Sequence, residues 1–297
     1  MITAAVHSVA ACLRAAQLQL HKSDSARLDA EVLLGHVLNK SRTWLYTWPE
    51  KPLSPDNYQT FQQLLARRET GEPIAHITGE REFWSLSFFV SAATLIPRPD
   101  TEQLVEAVLD IVNVGAGKEI GCSTPQRMLD LGTGTGAIAI ALATELPQAE
   151  IIAVDYSAEA VALAEKNRQR HGCDNLRCIQ SDWYDALRRD AGVINQFDVI
   201  VSNPPYIAAS DEHLQQGDVR FEPRSALVAE HDGLADIEII IAQGREFLAS
   251  GGWLLLEHGW RQAEAVAAIF NRCGYAAITT RQDLAGNDRV TLAQYKI

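Results

Sequence analysis

Asn203-Pro204-Pro205-Tyr206 is a stretch of this chain whose residue types can do chemistry together. An asparagine amide offers one oxygen that accepts and one NH2 that donates. Two consecutive prolines remove two backbone donors and hold the chain extended, which leaves neighbouring carbonyls free to accept. Tyr206 adds a flat face against which a planar group can stack. The set suits one task, gripping an NH2 whose nitrogen belongs to a planar, conjugated group. The Asn203 side chain and the Pro204 carbonyl would accept its two N–H bonds and turn its lone pair toward an electrophile. The plainer alternative is a Pro-rich turn with Asn chosen for turn chemistry. The preceding run, Phe197-Asp198-Val199-Ile200-Val201, reads as a buried strand. The four residues therefore sit at a strand's carboxyl end, the edge at which open parallel α/β sheets bind ligands.

A second constellation lies upstream. Met128-Leu129-Asp130-Leu131 reads as a short strand, and Gly132-Thr133-Gly134-Thr135-Gly136 turns it into the helix that begins Ala137-Ile138. The spacing G-x-G-x-G differs from the dinucleotide fingerprint and lacks the Lys-Ser/Thr of a phosphate loop. It points to a ligand packed on the backbone rather than a pyrophosphate at a helix terminus. Asp130 either orients the turn or contacts the ligand. The next strand, Ile151 to Val154, ends in Asp155, where a carboxylate accepts bonds from both ribose hydroxyls in nucleoside-binding α/β folds. The strand after it leads to Ser181-Asp182-Trp183, with Asp182 suited to an adenine amino group and Trp183 to covering the ring. Asp155 or Ser157 as a helix cap and Trp183 as core are the structural alternatives.

Positioning these groups requires a sheet. From Arg127 the pattern alternates strand and helix, the mark of a doubly wound α/β fold. Strands are expected over 127–131, 150–155, 176–181, 197–202, 252–257, 275–280 and 288–295, and helices over 136–146, 158–171, 233–249 and 261–272. The last two strands are joined too briefly for a parallel crossover, so they should run antiparallel. A mostly parallel sheet ending in an antiparallel hairpin is the Rossmann-like plan of class I methyltransferases. The segment 185–196 reads as a lengthened loop, and 113–126 as a surface loop.

The first 73 residues read differently, as a small helical bundle that Pro73 ends. Val6, Val9, Ala10, Leu13 and Ala16 form one apolar stripe, and Leu28, Val32, Leu33, His36 and Val37 a second, capped by Ser25 or Asp24. Ser54-Pro55 opens a third helix carrying Tyr58, Phe61, Leu64 and Leu65, and Trp44 and Trp48 should pack between them. Residues 74–96 are aromatic and β-prone, a hairpin linking this domain to the one over 97–297. Thr101 is a candidate cap for the helix whose stripe is Leu104, Val105, Val108, Leu109 and Val112.

The chain has 297 residues, 47% of them hydrophobic and 22% charged. No run approaches the roughly 18 apolar residues of a membrane span, and no secretory signal is visible. Five scattered cysteines (Cys12, Cys122, Cys173, Cys178, Cys273), never in a C-x-x-C pair, fit reduced thiols in the cytoplasm and no metal site. The histidines show no metal-ligand spacing. Net charge is -12. Residues 1–75 are balanced, with 8 Lys/Arg against 7 Asp/Glu, while the remainder holds 18 against 31. That argues against direct nucleic-acid binding, which needs a basic face.

Taken together, Asn203-Pro204-Pro205-Tyr206 and Gly132–Gly136 look like the motifs of S-adenosylmethionine-dependent amino methyltransferases. Pro97-Arg98-Pro99-Asp100-Thr101-Glu102 and Phe221-Glu222-Pro223-Arg224-Ser225-Ala226-Leu227 narrow the match. With the helical amino-terminal domain and the hairpin, nearly the whole chain resembles the HemK/PrmC family of release factor N5-glutamine methyltransferases. The resemblance implies methyl transfer from S-adenosyl-L-methionine to the glutamine amide in a Gly-Gly-Gln loop of class-1 peptide chain release factors, with no metal. It implies a cofactor site of Gly132, Thr133, Gly134, Thr135, Gly136, Asp155, Asp182, Trp183 and Asn203. Asn203, Pro204, Pro205 and Tyr206 would hold the substrate amide, Glu222 and Arg224 would gate the pocket or bind substrate backbone unless they form a surface ion pair, and His258 would be structural. The helical domain would recognise the substrate protein.

Two other readings use the same residues. An adenine-N6 methyltransferase would grip an adenine amino group and stack the flipped base on Tyr206, against which stand the acidic catalytic domain and the lack of a basic recognition domain. A non-catalytic, cofactor-binding partner of translation factors would have no need of Asn203.

Overall fold

The computed structural model describes residues 7–116, 126–189 and 196–296. Cys122, Val6, and the stretches 117–125 and 190–195 of the two expected loops lie outside the described residues. The chain divides into two compact units, residues 1–80 with 213–221, and residues 81–212 with 222–297.

The first unit is helical: α1 (Val9–Gln19), α2 (Ala26–Leu38), α3 (Arg42–Thr47), α4 (Pro55–Glu69) and α5 (Ile74–Thr78). Ser8, Ser41 and Ser54 each accept a backbone N–H at a helix start, satisfying donors that a first turn leaves open. Its core gathers Val9, Cys12, Ala16, Leu33, Leu34, Leu45, Phe61 and Leu65. Several expectations fail here, and Trp48 is exposed rather than packed between the helices. Pro73 does not end the helices; it caps α5. The buried face of α2 is also rotated from the expected stripe: Leu28 and His36 are exposed, while Asp29 and Glu31 are buried. Hydropathy assigns carboxylates to solvent, but these two are paired. Asp29 accepts from Ser23, Ser25 and Arg68, and Glu31 from Arg27, Arg42 and Tyr46. Ser25 accordingly donates to Asp29 instead of capping α2 with its side chain. Arg68 also reaches Asp218, which holds the excursion 213–221 within this unit.

The second unit opens with the hairpin β1 (Glu80–Phe83) and β2 (Leu86–Phe89). Its turn, Trp84-Ser85, has positive φ at both residues, the twist that suits two-residue hairpins. Glu102 accepts from the Trp84 backbone N–H and Glu145 from its indole, which offsets the cost of that backbone. Then follow α6 (Glu102–Ala116), β3 (Arg127–Leu131), α7 (Ala137–Glu145), β4 (Glu150–Asp155), α8 (Ala158–His171), β5 (Leu176–Gln180), α9 (Asp185–Arg189), β6 (Phe197–Ser202), β7 (Ile207–Ala208), β8 (Val228–Ala229), α10 (Glu230–Gly233), α11 (Ala235–Gly244), β9 (Leu248–Glu257), α12 (Ala263–Arg272), β10 (Ala276–Gln282) and β11 (Asp288–Gln294).

Seven strands form one sheet in the order β10-β11-β9-β6-β3-β4-β5. The five from β9 to β5 are parallel, and β11 runs antiparallel to both its neighbours. The expected Rossmann-like sheet with its antiparallel hairpin is therefore present. Apolar side chains from the two faces form separate clusters, one under α6 and α7, the other under α11 and α12. Differences are local. The expected helix over 233–249 breaks, because β9 begins at Leu248 and passes through Gly251 at positive φ with a register shift against β6. The first five residues of the expected 185–196 loop form α9, and α6 runs on into the expected 113–126 loop.

Strand order reverses between β3, whose successors β4 and β5 lie on one side, and β6 on the other. That switch point opens a crevice at the carboxyl ends of the two strands. Ser202 Oγ donates to the Leu131 carbonyl across it, so the two functional turns leave the sheet in fixed register.

Candidate active site

The crevice is a cleft of about 300 Å³ within the second unit. Gly132–Thr135 form its floor, Asp155 to Ser157 and Ser181 to Trp183 one wall, and Asn203 and Pro205 the opposite wall. Thr94, Leu95, Pro97, Arg98 and Thr101, and Ser225, Ala226 and Asp236, complete its lining.

The glycine turn is built by its neighbours. Thr133 donates its N–H to the Val154 carbonyl and its hydroxyl to Asp130. Asp155 accepts from the Gly134 N–H at 2.8 Å and the Ser157 N–H at 2.9 Å, joining the ends of β3 and β4. Ser157, not Asp155, caps α8. A side chain at Gly132 would point at the Trp183 ring, 3.5 Å from where its Cβ would sit. The missing side chain thus leaves a flat slot beside an indole, and Trp183 takes left-handed backbone to present it. Thr94 Oγ1 is buried on the cleft with no hydrogen-bond partner. Slot, strand-end carboxylate and orphaned hydroxyl fit an adenosyl group with a polar tail. The carboxylates at this end, Asp155, Asp182 and Asp236, suit the hydroxyl and amino donors of such a group. Burial raises the Asp155 and Asp236 pKa values, and for Asp236 the nearby Asp182 charge adds to the effect.

The amide end is organised around Asn203. Its Nδ2 donates to Thr101 Oγ1 at 3.1 Å, which leaves the amide oxygen as the acceptor on the cleft side. Pro204 is buried, and the Tyr206 ring packs on the core under α11 and α12, outside the cleft lining. The Tyr206 hydroxyl donates to Glu257 Oε1 at 3.2 Å, and its carbonyl accepts from Gln262 at 3.0 Å. Gly233 is pressed against that carbonyl at positive φ; a Cβ there would come within 2.1 Å of it. The motif's backbone is thereby gripped from both sides.

Of the remaining expectations, Thr101 does not cap α6 through its side chain; it belongs to a 3-10 turn and receives Asn203. Glu222 is neither exposed nor half of a surface ion pair. Its buried carboxylate accepts from Arg98 at 2.6 Å and the Ile96 N–H at 2.9 Å, tying the two narrower motifs together behind the cleft. Arg224 is exposed next to the lining residue Ser225. His258 is fully buried between Thr291 and the Gly259 carbonyl, and burial lowers its pKa, so it is a neutral structural residue. Thr94 and Asp236 carry no motif that sequence reasoning could use, whereas Glu257, followed by His258 and Gly259, ends a strand at this edge. Among the described residues no group of three or more His, Cys, Asp or Glu could hold a metal ion, and no helix is long and apolar enough to cross a membrane.

Residues 124–294 match the methyltransferase domain family and residues 11–79 the PrmC N-terminal domain. The N-terminal domain of human METTL16, solved in complex with SAH, shares the fold with a TM-score of 0.52 over 80% of this chain and 84% of its own, at 19% identity. Sheet, switch-point cleft and domain match define an S-adenosylmethionine-dependent methyltransferase. The chain is 54% identical over 283 residues to the release factor glutamine methyltransferase of Escherichia coli (strain K12), covering 95% of this chain and 97% of that protein. It is 53% identical over 277 residues to the protein of the same name from Salmonella typhimurium, covering 93% and 95%. The chain belongs to the release factor glutamine methyltransferase family.

Proposed function

We propose that this enzyme methylates the side-chain amide nitrogen, N5, of the glutamine in the Gly-Gly-Gln loop of class-1 peptide chain release factors, in the cytoplasm where those factors work. The observation that carries the reading is Asn203: its NH2 is committed to Thr101, so its oxygen is the atom offered to an incoming N–H. Family membership supplies the substrate class.

Gly132–Gly136, Asp155, Asp182 and Trp183 would hold S-adenosylmethionine, which when bound would supply an electrophilic sulfonium methyl. The protein's own part is positioning. Asn203 Oδ1 and the Pro204 carbonyl each accept one N–H of the glutamine amide. Two acceptors on one side favour a pyramidal nitrogen and hold its lone pair toward the cleft, an electrostatic preference built in before reaction. Pro205 closes the wall beside it. Tyr206 supports this arrangement from behind, through its hydroxyl and carbonyl, in place of the stacking face expected from sequence. No general base is required at the start, because a conjugated amide nitrogen has almost no basicity; its proton leaves to water after transfer. The helical unit, which matches the PrmC N-terminal domain, recognises the release factor. Arg68 is spent inside that unit on Asp29 and Asp218, so recognition falls to other residues.

The test offers radiolabelled methyl donor with intact release factor, a Gln-to-Ala variant of it, and duplex DNA in parallel, followed by fragmentation mass spectrometry. Label on the glutamine of the intact factor alone is the expected outcome. Label on DNA and on neither factor would overturn it in favour of adenine.

A further inference from the structure

Behind the cleft lies a buried carboxylate with no assigned task. Glu257, at the end of β9, is 2% exposed and faces Tyr206 after β6, Thr101 and Asp100 before α6, and Arg289 on β11. Tyr206 donates to its Oε1. Its Oε2 is buried with no hydrogen-bond partner, and the Thr101 hydroxyl faces the carboxylate and favours its ionised form. Arg289 acts on it only through its charge, because its guanidinium bonds Asp283 at 3.1 Å and reaches Asp100 at 3.5 Å.

These contacts bear on the orientation of the Asn203 amide. A hydroxyl has one hydrogen to give and can accept in addition. An ionised carboxylate only accepts: it takes the Tyr206 hydrogen at Oε1 and leaves Oε2 as an unsatisfied acceptor toward the Thr101 hydroxyl. Thr101 Oγ1 can then only accept from Asn203, which compels the amide to turn its NH2 to Thr101 and its oxygen to the cleft. A protonated Glu257 can instead donate. The Thr101 hydrogen is then free to bond Asn203 Oδ1, the amide turns over, and an NH2 faces the substrate's own NH2.

We infer that Glu257 is a positioning residue for methyl transfer: acting through Thr101 and Tyr206, its carboxylate sets the orientation of the Asn203 amide. The inference rests on the reading of Asn203 as the acceptor for the glutamine amide. Burial, countered by Thr101, Arg289 and Tyr206 and reinforced by Asp100, raises the Glu257 pKa to about 7, so the device is within reach of ordinary pH.

The test compares wild type, Glu257→Gln, Thr101→Val, Thr101→Ser and Asn203→Ala, with release factor as substrate, from pH 5.5 to 9. Cofactor binding is measured separately by calorimetry. In wild type kcat should rise with pH as Glu257 ionises and then level off. Glu257→Gln, which can donate like the protonated acid, should lose on the order of 10- to 100-fold in kcat and lose that acidic limb, with cofactor affinity unchanged. Thr101→Val should fall likewise and Thr101→Ser recover most of the loss. A Glu257→Gln enzyme that keeps wild-type kcat or the same acidic limb overturns the inference, as does weakened cofactor binding, which would assign Glu257 to the cofactor cleft. Should Glu257→Gln fold poorly, the Thr101 pair decides: equal activities for Val and Ser overturn it. Asn203→Ala separates the two levels. Full activity there sinks the reading of Asn203 itself; loss there with an unaffected Glu257→Gln sinks the relay alone.

Discussion

Asn203 Nδ2 lies 3.1 Å from Thr101 Oγ1, across 102 residues of sequence, so one half of the amide is occupied before any substrate arrives. The other half is what the proposed reaction would use. Asn203→Ala should reduce kcat by about 100- to 1000-fold, about 3–4 kcal/mol of transition-state stabilisation. Cofactor affinity should hold. Single-turnover methylation and calorimetry on the same preparation check both halves of the prediction.

Asp155 bonds the Gly134 and Ser157 N–H groups while standing on the cleft wall, so it shapes the glycine turn as well as offering itself to a ribose. Asp155→Ala should weaken cofactor binding by about 1.5–3 kcal/mol, the range for hydrogen bonds to a charged group. Titration calorimetry with the cofactor or its demethylated product reads this directly.

In the helical unit, Arg68 holds the buried Asp29 at 2.8 Å, with side-chain exposures of 14% and 6%. Arg68→Ala leaves that carboxylate with only the Ser23 and Ser25 hydroxyls. It should cost about 3 kcal/mol in urea unfolding, as breaking a buried pair from one side does. Adding Asp29→Asn should return part of the loss, because no charge is then left uncompensated.

Two buried carboxylates, Asp130 and Glu257, have pKa values raised to about 7 from ordinary values of 3.8 and 4.5, in both cases chiefly by desolvation. Between those limits the folded protein binds more protons than the unfolded chain. Their contribution to stability is therefore complete below the unfolded values and declines as pH rises through about 7. Glu257→Gln removes its share of that decline. The melting temperature of this variant relative to wild type should rise between pH 5 and pH 8, and a constant difference across that range would count against the burial of charge at this position.

The placement of the candidate site was legible from sequence where it is local. Gly132–Gly136, Asp155, Asp182-Trp183 and Asn203–Pro205 each follow a strand whose apolar run announces it, and parallel strands deliver their carboxyl ends to one edge whatever the details of packing. Apolar runs and turn residues suffice for that, and the short connection between the last two strands also implied the antiparallel β10–β11 pair. What the tertiary structure alone decided is pairing between distant residues. Leu28 and His36 face solvent because Asp29 and Glu31 found Arg68 and Arg42, an outcome invisible to a hydropathy stripe that counts every carboxylate as exposed. Thr101 is a hydrogen-bond partner of Asn203, not a cap, and Glu222 a buried tether, because their neighbours come from more than 100 residues away. The Tyr206 hydroxyl likewise meets a group from another strand end, Glu257, 51 residues further along the chain. A side chain's position along the chain follows from its own segment; which way its donors and acceptors point depends on the groups that folding brings against it.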